Sequence, residues 1–444
     1  LDFSQLLPQF GNLAFTLVAF IVALSVIVAV HEFGHYIVGR WCGIRAEVFS
    51  LGFGPVIASR MDRRGTRWQL AALPFGGYVK FSGDSNVASV GGIELSDIEG
   101  GHRRETMLGA PLWARAATVA AGPVFNFILS ILIFTGIMMS QGQPATPLTI
   151  AALKPLPQTY DVELEPGDEI LAVAGQPVAE EGLVFTGDYP DSPVVDYTIR
   201  RAGAEQVVTG PYPALPLAGS ISPGSPAYAA GLRSGDVIQS LDGEPIHAFE
   251  QIVEAVTASE GAPMQLGIWR DGESFSVDLA ARSTDMPRAG GGFETRWLLG
   301  IGSGSFFEAA SEPLPPLEAL SLAVSQLWMI VSSSISGLGH MLTGAISSCN
   351  LSGPVGIAET SGAMASQGAS SFIWFVAVLS TAVGLLNLFP VPVLDGGHLV
   401  FHAWEAVTGH PPSEKALQVL MSVGLALILT MTVFAVMNDL FLCP

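Results

Sequence analysis

The stretch LAFTLVAFIVALSVIVAVHEFGH, residues 13–35, joins an uncharged apolar run to the pentapeptide His31-Glu32-Phe33-Gly34-His35. H-E-x-x-H on a helix sets two imidazoles four residues apart on one face, close enough to share one metal ion. The glutamate between them can serve as general base on a water at that ion. A charged side chain at the centre of a membrane helix costs about 2.5–3.5 kcal/mol on insertion scales and usually marks function. A metal motif inside a membrane-length segment therefore points to a zinc-dependent peptidase cutting within or near a bilayer. The competing reading is a chance match whose polar residues simply meet the interface.

Composition agrees with a membrane protein carrying soluble parts. The 444 residues are enough for several domains. Hydrophobic residues make up 49%, charged ones only 13%, and mean hydropathy is +0.48. A net charge of −20 excludes nucleic acid, whose phosphates would be repelled. Cys42, Cys349 and Cys443 are odd in number and form no C-x-x-C pair, so neither a disulfide framework nor a thiolate zinc site is expected. The first apolar run lacks a basic leader and a small-residue cleavage site, so it reads as a retained span.

Four segments are long enough to cross a core about 30 Å thick: residues 13–38, 116–140, 372–394 and 416–437. Residues 40–115 hold ten of the 19 Lys+Arg, whereas 141–316 hold eight against 24 Asp+Glu. The first loop is then cytoplasmic and the acidic segment external. This topology brings the His31/His35 end of the first span and the Asp395 end of the third to one membrane level. Residues 317–349 test it, because 319–358 carry only apolar and uncharged polar side chains. A helical stripe runs through Leu317, Leu320, Val324, Leu327, Val331, Ile335 and Leu338, with serines between. That pattern fits a helix lying on the outer membrane surface better than a fifth crossing.

Two apolar runs, 68–72 and 73–81, are broken by Pro74 and Gly76-Gly77 and suggest a hairpin dipping against the helices. An edge there could pair with an extended substrate. Residues 82–110 are Gly-, Ser- and Asp-rich and read as a flexible linker. The acidic segment contains a repeat at an offset of 68 residues. Leu164, Gly167, Asp168, Ile170, Gly175 and Pro177 match Leu232, Gly235, Asp236, Ile238, Gly243 and Pro245. Two related domains of about 70 residues follow. The expected divisions are 1–40, 41–111, 112–140, 141–213, 214–283, a linker with surface helices over 284–371, then 372–407 and 416–444.

A two-histidine zinc site needs a further protein ligand and an open position. The best candidate on the same side is Asp395, within Asn387-Leu-Phe-Pro390-Val-Pro392-Val-Leu-Asp395-Gly396-Gly397-His398. Its prolines break the helix at membrane depth. His398 and His402 are rivals beyond the break, and Glu405 reads as a solvated interfacial residue. Asn126, in Gly122-Pro123-Val-Phe-Asn126, and Asn387 are lone amides within spans. Each reads either as an interhelical hydrogen bond or as a donor to substrate backbone.

Together these motifs resemble the site-2 protease family of intramembrane zinc metalloproteases. The order of HExxH, hairpin, Gly-Pro-x-x-Asn, repeat and Leu-Asp-Gly matches along nearly the whole chain. The repeat resembles the PDZ signature, and the tandem pair, with Ser352-Gly353-Pro354-Val-Gly-Ile, is similar to the sigma-E-regulating bacterial subgroup. The resemblance implies a four-span helical core with a re-entrant β-hairpin and two extracytoplasmic PDZ-like α+β domains in a bacterial inner membrane. It implies zinc on His31, His35 and Asp395, with Glu32 as catalytic base. It implies that Asn126 and Asn387 assist substrate and that the hairpin, through Gly76, Gly77 and Tyr78, clamps a substrate strand. The implied substrates are single-span membrane proteins of the anti-sigma-factor type and remnant signal peptides, in an envelope stress response. A scaffold with a decayed metal site and an ion transporter are the rival classes. The intact His31, Glu32, His35 and Asp395 speak against the first, and the absence of repeated spans against the second.

Overall fold

The computed structural model describes residues 6–83, 103–178, 189–288 and 292–442. Most of the predicted linker, 84–102, lies outside the described residues. Nine α-helices are described: α1 (Leu6–Trp41), α2 (Leu112–Gln141), α3 (Pro226–Ala229), α4 (Phe249–Ser259), α5 (Pro316–Leu342), α6 (Pro354–Ser366), α7 (Ala369–Asn387), α8 (Asp395–Thr408) and α9 (Glu414–Met437). The chain forms two compact units. One, mainly helical, comprises Leu1–Ile137, Leu317–Gly339 and Leu351–Pro444; the other, rich in strands, comprises Met138–Pro316 and His340–Asn350.

In the helical unit, α1 continues through the HExxH motif because nothing after its first turn interrupts the apolar run. It stops at Gly43, whose φ of +83° ends the helix without the strain a side chain would bring. Close contacts set the direction of its neighbours. Thr16 of α1 abuts Gly362 of α6, where a Cβ would collide with the threonine. Ala23 and Ile27 share a core with Phe375 and Val376 of α7. Ser130 of α2 donates to the Ala377 carbonyl at 2.8 Å, and Ser380 of α7 donates to the Asn126 carbonyl at 2.9 Å. Rising residue numbers in α7 therefore track rising numbers in α1, while α2 runs the other way.

At the far end of α9, Asp439 accepts from the N–H groups of Gly353, Val355 and Gly356 at 2.8–3.1 Å. It thereby caps the start of α6, where four backbone donors lack helical partners. Gly424, earlier in α9, packs on Pro392 and Val393. So α9 also runs against α1.

Among the described residues, five helices rather than four are long and apolar enough to cross a membrane, because Pro316–Leu342 qualifies. It is the least apolar of them, at a mean hydropathy of 1.4 against 2.0–2.9. Only Ala319 and Ala323 of its side chains are buried.

The hairpin differs from expectation in its pairing. Two strands, β1 (Ala46–Met61) and β2 (Arg67–Phe81), bend sharply and each supplies two arms. Phe49 pairs with Val79 on one side and Trp68 on the other, and Leu51 likewise with Gly77 and Leu70. Residues 46–51 thus lie between the two apolar runs, which reverse direction but do not pair with each other. Gly52 and Gly54, at φ of +89° and +84°, fold β1 back. A Cβ on Gly52 would come 2.7 Å from the Leu73 carbonyl. The tight turn is 62–66, where Asp62 accepts from the N–H groups of Arg64 and Thr66. Tyr36 and Arg40 of α1 reach the other oxygen of Asp62 and fasten the sheet to the helix.

The strand-rich unit holds the repeat as two four-stranded sheets of the same order. In the first, Gln176–Pro177, Glu169–Val173, Val194–Arg201 and Ala204–Pro211 lie side by side; in the second, Glu244–Pro245, Val237–Leu241, Pro263–Arg270 and Glu273–Ala280 do. The Gly-Asp step of each copy is a buried clamp. Asp168 accepts two bonds from Arg201 at 2.7 Å and one from the Glu165 N–H. Asp236 does the same with Arg270, at 2.6 and 2.7 Å, and the Arg233 N–H.

The predicted linker after residue 284 proves to be partly sheet. Arg282–Pro287 pairs with Phe293–Leu298. Ile301–Ser303 then returns to Ala218–Ile221 beside the second copy, and Phe307–Ala309 to Ile150–Leu153 beside the first. Phe306 and Phe307 fill the core of the first copy. Neither copy is closed by its own 70 residues. Cys349 stands in a disulfide, which composition did not foretell, whereas Cys42 is a free thiol.

Candidate metal centre

His31 and His35 face α2 and the break between α7 and α8. The chain leaves α7 at Asn387, passes Pro390 and Pro392, and starts α8 at Asp395. Gly396 and Gly397 leave no room for a side chain, since a Cβ on either would overlap carbonyls of 388–391. The compact break delivers Asp395 to the histidines, on the first turn of α8, where the helix dipole favours an anion.

The three ligand atoms lie within 4.8 Å of one another. His31 Nε2 and His35 Nε2 face each other at 3.1 Å. Asp395 Oδ2 is 3.1 Å from the first and 3.5 Å from the second. Ligands bound about 2.0–2.1 Å from a tetrahedral zinc stand about 3.3 Å apart, so this triangle has the right size. Asp395 Oδ2 is buried without a hydrogen-bond partner, and a cation would satisfy it. Gly122 keeps the space open, because a Cβ there would strike both imidazole rings. The donor set fits zinc.

The elements around the triangle hold the rings. His35 Nδ1 donates to the Thr118 carbonyl at 2.8 Å. Asn126, fully buried, contacts His31 Nδ1 through its amide at 3.2 Å. Thr118, Gly122 and Asn126 recur at steps of four along one face of α2. That spacing was available in the sequence, and only its last two members drew notice there. Glu32 lies beside the sheet edge: a Cβ on Gly77 would come 3.0 Å from its Cγ.

Other candidates fall elsewhere. Asn387 donates to the Val383 carbonyl of its own helix at 3.0 Å and touches none of the three ligand atoms. Tyr78 stacks on Phe53 and its hydroxyl accepts from Gln69. Gly76, at φ +126°, lies against the Phe53 ring. His398 is exposed and packs on Phe401, and neither it nor His402 joins the triangle. Glu405 is not a solvated interfacial residue. It makes a two-pronged ion pair with Arg115 at 2.6 and 3.1 Å, both side chains under one-fifth exposed. The pair ties α8 to the start of α2, a contact 290 residues apart that no local pattern announces.

Membrane-length helices enclosing a His-His-carboxylate triangle with an adjacent glutamate define a membrane-embedded metallopeptidase. The family model of peptidase family M50 matches residues 19–431. The chain is 35% identical over 442 residues to a zinc-metalloprotease relative from Agrobacterium fabrum, covering 98% of both chains. It is 35% identical to one from Rhizobium meliloti, covering 97% of both. It is 32% identical to the regulator of sigma-E protease RseP of Salmonella typhimurium, covering 96% of this chain and 99% of that one. A solved PDZ domain of an SdrC-like protein from Listeria monocytogenes covers 20% of this chain and 84% of its own at 16% identity, with a TM-score of 0.17; nothing is argued from so slight a likeness. This chain belongs to peptidase family M50, and it is a multi-pass membrane zinc metalloprotease.

Proposed function

We propose that this protease hydrolyses peptide bonds in the transmembrane segments of single-span membrane proteins, with zinc held by His31, His35 and Asp395. The observation that carries the reading is the convergence of those three ligand atoms beside Glu32 within membrane-length helices. Zinc bound there supplies Lewis-acid polarisation of the scissile carbonyl and a lowered pKa for water. Glu32 takes the proton of the attacking water and delivers it to the leaving amine. A helical substrate cannot present its carbonyls, which are bonded within the helix. It must unwind, and the 77–81 edge of β2 offers it a strand to pair with. Gly76 and Gly77 let the substrate approach, and Tyr78 braces the edge from behind. Asn387 serves substrate once its amide leaves the Val383 carbonyl.

Four crossings, by α1, α2, α7 and α9, carry the site in this reading, and α5 lies on the outer surface. A crossing by α5 would conflict with the directions of α2 and α7, since the short stretch before α6 could not return across the membrane. The repeats face outward and the zinc end faces the cytoplasm, as the Arg-rich first loop suggests. The disulfide at Cys349 and the free thiol at Cys42 fit oxidising and reducing sides respectively. By analogy with its sigma-E-regulating relative, the substrates are of the anti-sigma-factor type, with remnant signal peptides as a second group. The PDZ-like repeats screen or bind the external parts of such substrates. Co-expression with a panel of single-span proteins, with and without their external domains, tests the reading. Wild type should cleave the trimmed forms and Glu32→Gln should not; equal cleavage by both would remove Glu32 from the mechanism.

A further inference from the structure

We infer that Asn126 is a positioning residue for His31: its amide oxygen accepts the Nδ1 hydrogen and so turns the Nε2 lone pair towards the zinc. The inference rests on the ligand assignment proposed above. It begins with the difference between the two imidazoles. The outer partner of His35 is the Thr118 carbonyl, which can only accept. His35 must therefore carry its hydrogen on Nδ1, leaving Nε2 free to bind metal. The outer partner of His31 is an amide, which can either donate or accept.

In the arrangement recorded, Asn126 Nδ2 faces His31 Nδ1 at 3.2 Å, and Asn126 Oδ1 is buried without a partner. That orientation would require Nδ1 to accept and Nε2 to carry the hydrogen. It would aim an N–H at the metal position and leave an orphaned carbonyl oxygen. A half-turn of the amide exchanges oxygen and nitrogen with no other change of shape. Oδ1 then receives the Nδ1–H, and both histidines present lone pairs to the same point. Metal-bound histidines generally hold their other ring N–H on such an acceptor, which fixes tautomer and ring orientation.

The surroundings hold Asn126 for this task. It is fully buried, and its backbone carbonyl receives the hydroxyl of Ser380 at 2.9 Å. A Cβ on Gly384 would approach the Asn126 Cβ to 3.2 Å. With backbone and Cβ fixed, the amide has one place to be, against His31. An amide held this way is occupied by the imidazole, which separates this role from a contact with substrate backbone.

The test is zinc affinity of the purified full-length protein, measured by chelator competition without substrate. Asn126→Ala should lose 10–100-fold in affinity, the usual effect of removing such a partner. Asn126→Asp, which keeps an acceptor, should hold zinc at least as tightly as wild type. Ser130→Ala, which loosens the same stretch of α2 without touching the amide, should leave affinity unchanged. Equal affinity in wild type and Asn126→Ala would overturn the inference, even if cleavage fell. Equal losses in the Ala and Asp variants, or an equal loss in Ser130→Ala, would also overturn it, by pointing to helix packing. Zinc affinity unchanged in a double variant with His31 and His35 both replaced would instead sink the ligand assignment beneath it.

Discussion

The molecule holds its inward-facing carboxylates in two ways. Asp168 and Asp236, in the repeats, have side chains 1% exposed, and each receives two bonds from an arginine and one from a backbone N–H. Asp395, in the helical unit, meets two imidazole nitrogens and has an oxygen with no hydrogen-bond partner. A fully met carboxylate rigidifies a turn, whereas an incompletely met one costs free energy unless something else arrives. The same residue type thus marks architecture in one place and, in the proposed reading, chemistry in the other. Fewer lone pairs are satisfied at Asp395, and its side chain is 19% exposed against 1% for the other two.

Replacing each carboxylate should break this contrast in a different way. Asp395→Ala should have the largest effect, with loss of retained zinc by metal analysis and loss of detectable cleavage, while the repeats stay folded. Glu32→Gln should keep zinc and lower cleavage about 10²–10⁴-fold, the usual contribution of a positioned general base. Asp236→Asn should leave zinc content unchanged. It should lower the stability of the strand-rich unit by about 3 kcal/mol, because Arg270 loses its partner in a largely buried pair; denaturant unfolding followed at Trp269 and Trp297 measures it.

The smallest effect concerns pH. Burial pushes Asp168 upward, but Arg201 and the Glu165 N–H outweigh it and hold the carboxyl below the ordinary range. A depressed pKa stabilises the folded state above the ordinary carboxylate value, about 4, and that stabilisation is lost as pH falls through the folded value. The protection factors of the Glu169–Val173 amides, exchange rates corrected for their intrinsic pH dependence, should therefore fall on acidification from neutral pH to about 3. Asp168→Asn should exchange faster at neutral pH and show a smaller acid response.

Much of this was legible in the chain. The apolar run placed His31 and His35, the paired prolines foretold the break before Asp395, and the 68-residue offset gave two like sheets. Such features are local, because period, breaker and repeat are written in neighbouring residues. The rest depended on distant partners. The two runs flanking Gly76-Gly77 suggested direct pairing, yet 46–51 lies between them, and only the positive φ of Gly52 and Gly54 makes that possible. Residues 301–309 lack a strong pattern of their own and become strands by pairing with segments 80–159 residues earlier. Thr118 enters the centre through a backbone carbonyl, which every residue owns and no residue type advertises. Glu405 looked like a surface charge because its arginine lies in another helix.

The edge beside Glu32 is only five residues long, 77–81. Five residues cover about 7.5 Å as a helix and about 16 Å as a strand. A substrate helix that unwinds along this edge therefore lengthens by about 9 Å over the same five residues. In the proposed reading, the length of this one short strand thus sets how much of a substrate helix must come apart, about one and a half turns.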